Sequence, residues 1–211
     1  MNDILIVGGG GHAKVLATLL KKHEDWNPIG YTDPEDNGPL LGLPYLGTDK
    51  VILSLISDKA LKHVAIGIGL VDPTEHRAGV IRKIQAMRLS LPSICSPNAT
   101  INEDVEIGEG SIVMDGAVIQ PSVKIGCYSI INTGAIVDHD CTIGDHVHIA
   151  PGVTLSGNVN LGDNILVGTA ASILHGIKIT GHVIIGGGGM VISDLETSGT
   201  YVGVPARLKA I

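Results

Sequence analysis

Residues 119–149 read IQPSVKIGCYSIINTGAIVDHDCTIGDHVHI. An aliphatic residue returns at every sixth position: Ile119, Ile125, Ile131, Val137, Ile143 and Ile149. Followed outward in both directions, the register runs unbroken from Ile101 to Val191, sixteen aliphatics in succession. With aliphatics at roughly 0.3 per position, chance gives about one in 10^8, so the repeat is a property of the fold. Four positions after each aliphatic stands a small or β-branched residue, such as Val123, Ser129, Ala135, Cys141 and Val147. Glycine often follows the aliphatic directly, as at 108, 126, 144, 162, 168 and 186. One short strand and one tight turn per six residues predict a triangular parallel β-solenoid of eighteen-residue coils, about five of them. Aliphatics at the corners and small residues along the flanks leave no room for rings. The absence of phenylalanine, with one Trp and four Tyr in 211 residues, follows from that. The exposed ends of such a stack need covering, by the N-terminal domain and by residues 192–211.

Upstream, the pattern is different. Ile4–Val7 is a short buried strand followed by Gly8, Gly9, Gly10 and Gly11. A helical pattern runs from His12 to about Lys22, with Val15, Leu16, Leu19 and Leu20 on its apolar face. A second strand covers 28–32 and ends at Asp33, residues 33–50 read as loops, Val64–Ile68 is a third strand, and Thr74–Met87 a helix. Strands alternating with helices predict a small parallel α/β sheet. The join falls between Pro92 and Pro97. Three segments result: an α/β domain over 1–92, the all-β solenoid over 93–193 and a tail over 194–211.

A formal net charge of −7 and the lack of any Lys/Arg run argue against a nucleic-acid partner or an anionic membrane surface. The chain enters a strand at once and has no 18-residue apolar span, so neither a leader nor a transmembrane segment is expected. With 44% hydrophobic and 17% charged residues it is not a disordered chain. Cys95, Cys127 and Cys141 form no CxxC pair, which fits a reduced, cytoplasmic protein.

Gly8, Gly10 and Ala13 fit G-x-G-x-x-G/A between a strand and a helix, a Rossmann-like turn, with Asp33 twenty residues beyond Ala13. Such a turn brings phosphate or ribose against backbone N–H groups, and the acid is available for a hydroxyl. The readings are a nucleotide-sugar site, an NAD site or glycines serving packing alone. A domain of about ninety residues is short for a full dinucleotide fold. His12 and Lys14 flank the turn and are candidate substrate contacts.

His139 is the candidate general base. It lies on a turn, bracketed by Asp138 and Asp140, and imidazole has the intrinsic pKa to take up a proton near neutral pH. Asp140 is the candidate acid that fixes its tautomer. Gly157 follows eighteen residues later, one coil directly beyond, where a backbone N–H can meet a developing oxyanion. A turn glycine with positive φ is the alternative there. His175 continues the column, two layers from His139 at about 9–10 Å, too far to share a zinc. No metal site is expected from His146, His148, His175 and His182. Cys141 sits at an inward position, so a covalent role for its thiol is disfavoured.

These motifs together resemble the left-handed β-helix (hexapeptide-repeat) acetyltransferases, in the sialic-acid and bacillosamine branch that acts on nucleotide-linked amino sugars. The resemblance rests on Gly8–Val15, Ile66-Gly67, Asn132, Asp138-His139-Asp140, His148–Gly152, Gly157-Asn158, Gly187 and Gly203-Val204-Pro205-Ala206. It implies a left-handed helix, acetyl-CoA as co-substrate without a metal, and homotrimers with sites between subunits. The N-terminal domain would bind the nucleotide end of the sugar through Gly10, Gly11, His12, Lys14, Asp33 and Gly67. Asn132 would orient the acceptor. His148, Gly157, Gly187, Pro205 and Arg207 would line the acetyl-CoA arm. The expected reaction is acetylation of the 4-amino group of a nucleotide-linked 4-amino-4,6-dideoxy sugar. O-acetylation of sialic acid or serine-like hydroxyls, and a non-catalytic scaffold, are the alternatives. With so few aromatic rings, the nucleotide is expected to rely on backbone groups, aliphatics and short polar residues.

Overall fold

The computed structural model describes residues 1–70 and 75–209. The chain divides into two compact units, the first containing residues 1–69 and 75–92, the second Leu70 and residues 93–209.

In the first unit, β1 (Asn2–Val7), β2 (Trp26–Thr32), β3 (Tyr45–Gly47) and β4 (His63–Ile66) form a parallel sheet in the order β3-β2-β1-β4. The apolar run Ile4-Leu5-Ile6-Val7 forms the central strand and is buried throughout, as a parallel strand covered on both faces requires. Helix α1 (Gly11–Lys22) follows the glycine turn. It buries Ala13, Leu16, Ala17, Leu19 and Leu20, and Lys21 and Lys22 in its last turn complement the helix dipole. Val15, expected on the apolar face, is instead 46% exposed. At about 100° per residue it falls outside the stripe set by Ala13, Leu16, Ala17 and Leu20. The segment after β2 also holds more structure than expected, with β3, a 3₁₀ turn at Asp49–Val51 and α2 (Ile52–Lys59). α3 covers Glu75–Ala86, and Thr74, where the sequence places its start, lies outside the described residues.

In the second unit the repeat becomes a three-faced parallel β-helix. Two-residue strands such as Ile136–Val137, Thr142–Ile143 and His148–Ile149 succeed one another every six residues, and each pairs with the strand eighteen residues away. The faces contain five, six and eight strands. The repeated aliphatic closes each strand and points inward, while the small residue lies just before the strand. Val137, Cys141, Ile143, Val147 and Ile149 are all essentially inaccessible.

Two backbone rules hold the turns. The second turn residue adopts the left-handed conformation coil after coil, as in Asp140 (φ 60), His146 (φ 54) and Asn158 (φ 58), which Asp and Asn tolerate better than most residues. At one corner the glycines stack so closely that a Cβ on Gly126 would stand 2.6 Å from the carbonyl carbon of Gly144. Carboxylates stitch the same corner: Asp145 accepts from the Cys127 N–H at 2.6 Å, and Asp163 from the Asp145 N–H at 2.8 Å.

The tail closes the C-terminal end. Gly199–Val202 adds in parallel to Val183–Ile185, and Arg207–Leu208 pairs antiparallel with it. Leu195, at 7% exposure, bridges to Ile179.

Candidate active site

His139 and Asp140 occupy the turn between Ile136–Val137 and Thr142–Ile143. The left-handed backbone at Asp140 turns its carboxylate back onto the preceding ring, and Nδ1 lies 2.8 Å from Oδ2. Because a carboxylate only accepts, Nδ1–H donates, and Nε2 is left as the basic nitrogen. The pair is half exposed, with side chains 52% and 60% accessible. The Asp140 hydrogen bond raises the His139 pKa most, burial opposes it, and the charges of Asp138 and Asp140 add to the rise.

Gly157 lies beneath that ring. A Cβ there would stand 2.6 Å from His139 Nε2 and 2.7 Å from Cε1. Its φ is not in the left-handed region, which in this turn belongs to Asn158. The glycine is therefore required by the imidazole above it rather than by backbone strain. His175 comes closer than coil spacing predicts: the His139 and His175 ring centroids are 6.3 Å apart. The distance of about 9–10 Å applies to the backbone two layers apart, and with no side chain at Gly157 the rings lean together across the gap.

Asn132 and His148 form a separate group. His148 is only 8% exposed, at the start of a strand on the eight-stranded face. Its Nδ1 bonds the Leu70 carbonyl, and its Nε2 lies 3.0 Å from Asn132 Nδ2. The carbonyl fixes Nδ1–H as donor, so Nε2 accepts from the amide. Asn132 Oδ1 in turn accepts from the Thr133 N–H at 2.8 Å. His148 thus holds Asn132 and the Leu70 carbonyl through its two ring nitrogens. Gly187 in the last coil and Pro205 and Arg207 in the tail are exposed, Arg207 Nη1 donates to the Ala206 carbonyl at 3.1 Å, and the Ala206 N–H donates to the Met190 carbonyl at 2.7 Å.

In the first unit, a hollow of about 360 Å³ is lined by Gly9, Gly10, Gly11, Lys14, Tyr31, Asn37, Gly38, Pro39 and Leu40. α1 opens on it with Gly10 as N-cap and no side-chain cap, so its first-turn N–H groups and Lys14 favour an anion. Gly10, Gly11 and Lys14 stand where the sequence reading places them. His12, Asp33 and Gly67 are not among the lining residues. Both oxygens of Asp33 accept backbone N–H groups, Oδ2 from Gly9 at 2.7 Å and Oδ1 from Glu35 at 3.1 Å. Gly67 is buried, and a Cβ on it would meet Ile6 at 2.7 Å and Ala13 at 2.9 Å. Both residues brace the glycine turn. Tyr31 was missed: it borders the hollow, its hydroxyl donates to the Gly38 carbonyl at 2.6 Å, and its side chain is fully buried. The Asp36-Asn37-Gly38-Pro39 turn just beyond β2 is the sequence signal that could have located the rest of the wall.

Cys141 is inaccessible, its Sγ donating to the Ser156 carbonyl at 3.3 Å, and burial pushes its thiol up to about 11. A group so reluctant to form a thiolate is a poor nucleophile. Among the described residues no cluster of three or more His, Cys, Asp or Glu could hold a metal ion.

A parallel β-helix with an imidazole–carboxylate pair on its turns, in a chain that also holds an α/β unit with an anion-favouring glycine turn, defines a hexapeptide-repeat acyltransferase. Residues 3–76 match the family model described as the PglD N-terminal domain, and residues 122–157 match the bacterial transferase hexapeptide model. Perosamine N-acetyltransferase from Caulobacter crescentus, solved with CoA and GDP-perosamine, is 33% identical with a TM-score of 0.91, over 100% of this chain and 98% of that one. The acetyltransferase domain of PglB from Neisseria gonorrhoeae is 30% identical with a TM-score of 0.90, over 99% and 100%. WeeI from Acinetobacter baumannii is 28% identical with a TM-score of 0.85, over 98% and 99%. No curated protein matches. The chain belongs to the left-handed β-helix hexapeptide-repeat acetyltransferases that act on nucleotide-linked amino sugars.

Proposed function

We propose that His139 is the general base of this enzyme and Asp140 the carboxylate that orients it. The chain is an acetyl-CoA-dependent N-acetyltransferase acting on the amino group of a nucleotide-linked 4-amino-4,6-dideoxy sugar. The observation that carries the base assignment is the 2.8 Å Nδ1–Oδ2 pair, which leaves Nε2 basic above Gly157. His139 Nε2 takes the proton as the amine nitrogen bonds to the thioester carbonyl carbon. Asp140 stabilises the resulting imidazolium. Ser156 and Asn158 donate their N–H groups to the Ile173 and His139 carbonyls, so the Gly157 N–H is the backbone donor that would meet the oxygen on which negative charge develops. When the carbon–sulfur bond breaks, the proton held on His139 is available to the departing thiolate.

Lys14 and the first turn of α1 would hold the diphosphate of the nucleotide, with Tyr31 and Asn37 to Leu40 around the rest. Asn132, fixed by His148, would orient the acceptor. Gly187, Pro205 and Arg207 would lie along the CoA arm. We further infer a homotrimer in which a neighbouring subunit completes each site. The exposed aliphatics Ile136 (41%), Leu174 (39%) and Ile192 (45%) border the six-stranded face that leads into the His139 turn, which supports a contact there. Among the described residues no helix is long and apolar enough to cross a membrane, and dependence on acetyl-CoA and a nucleotide sugar favours the cytoplasm.

The test is CoA release measured with acetyl-CoA against a panel of UDP-, GDP- and dTDP-linked 4-amino-4,6-dideoxy sugars and free sialic acid. Turnover confined to amino sugars supports N-transfer, turnover of sialic acid alone moves the reading to O-transfer, and no turnover with any of them favours a scaffold.

A further inference from the structure

His139, Gly157 and His175 hold the same position of the repeat in three successive coils, and each belongs to the corner joining the six-stranded to the five-stranded face. Because the middle member has no side chain, the two imidazoles meet at a centroid distance of 6.3 Å, their planes tilted by 46°. This is within the range at which aromatic rings attract one another. The base itself stands on an exposed turn, where a ring held by one hydrogen bond could swing about it. Asp140 fixes Nδ1, and Gly157 puts no side chain under the ring. The direction along the helix axis is closed by His175.

We propose that His175 is a positioning residue for His139: its ring packs against the base and keeps Nε2 aimed at the amine. The proposal rests on the general-base reading above. It assigns no proton transfer to His175. Among the described residues, the charges acting on His139 are those of Asp138 and Asp140 on its own turn, and His175 is the titratable ring that faces it. The turns on either side contribute Pro121, Ser122, Gly157 and Asn158, none of which titrates. Replacing His175 with an uncharged ring therefore separates packing from charge.

The experiment compares His175→Ala, His175→Gln and His175→Phe in steady-state assays with both substrates, with thermal melting as a control. His175→Ala and His175→Gln are expected to lower kcat about fivefold, the size of one aromatic pair. KM for acetyl-CoA and for the sugar should stay within about twofold, and His175→Phe should recover most of the lost kcat. The exposed turn makes an unchanged melting temperature the expectation for all three. Wild-type kcat in the Ala and Gln variants overturns the proposal. So does a rise in the acetyl-CoA KM with kcat unchanged, which would make His175 a donor contact, and so does a Phe variant as slow as Ala. If His139→Ala retains activity, the base assignment itself falls, whatever the His175 variants do.

Discussion

His139 and Gly157 are eighteen residues apart in the chain and in contact in space: a Cβ on Gly157 would overlap the imidazole at 2.6 Å from Nε2. The coil period sets the sequence distance, and the ring above sets the identity of the glycine. An alanine at this position meets the far end of a side chain that can move, so the ring should give way and the backbone should hold. Gly157→Ala is expected to lower kcat at least tenfold, consistent with the cost of a misplaced catalytic group, with little change in melting temperature. Steady-state rates and a thermal melt check both halves.

Asp140 raises the pKa of the proposed base. A general base works only when deprotonated, so activity falls as pH drops through the His139 pKa. Since the Asp140 hydrogen bond raises that pKa, the acid limb of the kcat/KM profile should lie above that of an ordinary histidine. Asp140→Asn removes the raising contact and moves the limb to lower pH. It also lowers the plateau by roughly 10^2-fold or more, because tautomer and imidazolium are no longer held. An unshifted limb would show that the profile reports another group.

The hollow proposed for the nucleotide makes a prediction that separates the two substrates. Lys14 lines it beside the uncapped start of α1. Lys14→Ala should raise KM for the nucleotide sugar about tenfold, the value of a charge-assisted contact, and leave the acetyl-CoA KM unchanged. Kinetics with each substrate varied in turn give the answer.

The glycine-stacked corner makes a prediction about stability alone. A Cβ on Gly126 meets the Gly144 backbone at 2.6 Å, and backbone cannot swing aside as the His139 ring can. Gly126→Ala should destabilise the solenoid by about 1–3 kcal/mol, as overpacking does. A lowered midpoint in denaturant unfolding, with kcat of the folded fraction retained, is the expected result.

The solenoid was legible because each repeat is decided locally: one inward aliphatic, one small residue and one turn, with Val137, Cys141 and Ile143 buried as their register requires. The His139–Asp140 pair was legible for the same reason, since neighbours in a turn are neighbours in space. What the period does not contain is side-chain direction. The coil spacing gives about 9–10 Å for two layers, yet the His139 and His175 rings close to 6.3 Å because nothing stands on Gly157. Likewise His148 Nδ1 meets the Leu70 carbonyl, a contact across 78 positions that no local pattern encodes. In the α/β unit, α2 has only Ile52 and Leu55 firmly buried, too few to stand out as a helical stripe. Tyr31 reads as a strand residue until its hydroxyl is seen to reach the Gly38 carbonyl.

The central claim is that His139 removes the proton from the attacking amine, and the most direct test is CoA release by a His139→Ala variant. The assay uses saturating acetyl-CoA and a nucleotide-linked 4-amino-4,6-dideoxy sugar that the unmodified enzyme turns over. With CoA binding retained by calorimetry, kcat should fall by about 10^2–10^4-fold, the contribution of a positioned general base. A variant that binds CoA and still turns over at the rate of the unmodified enzyme would contradict the assignment.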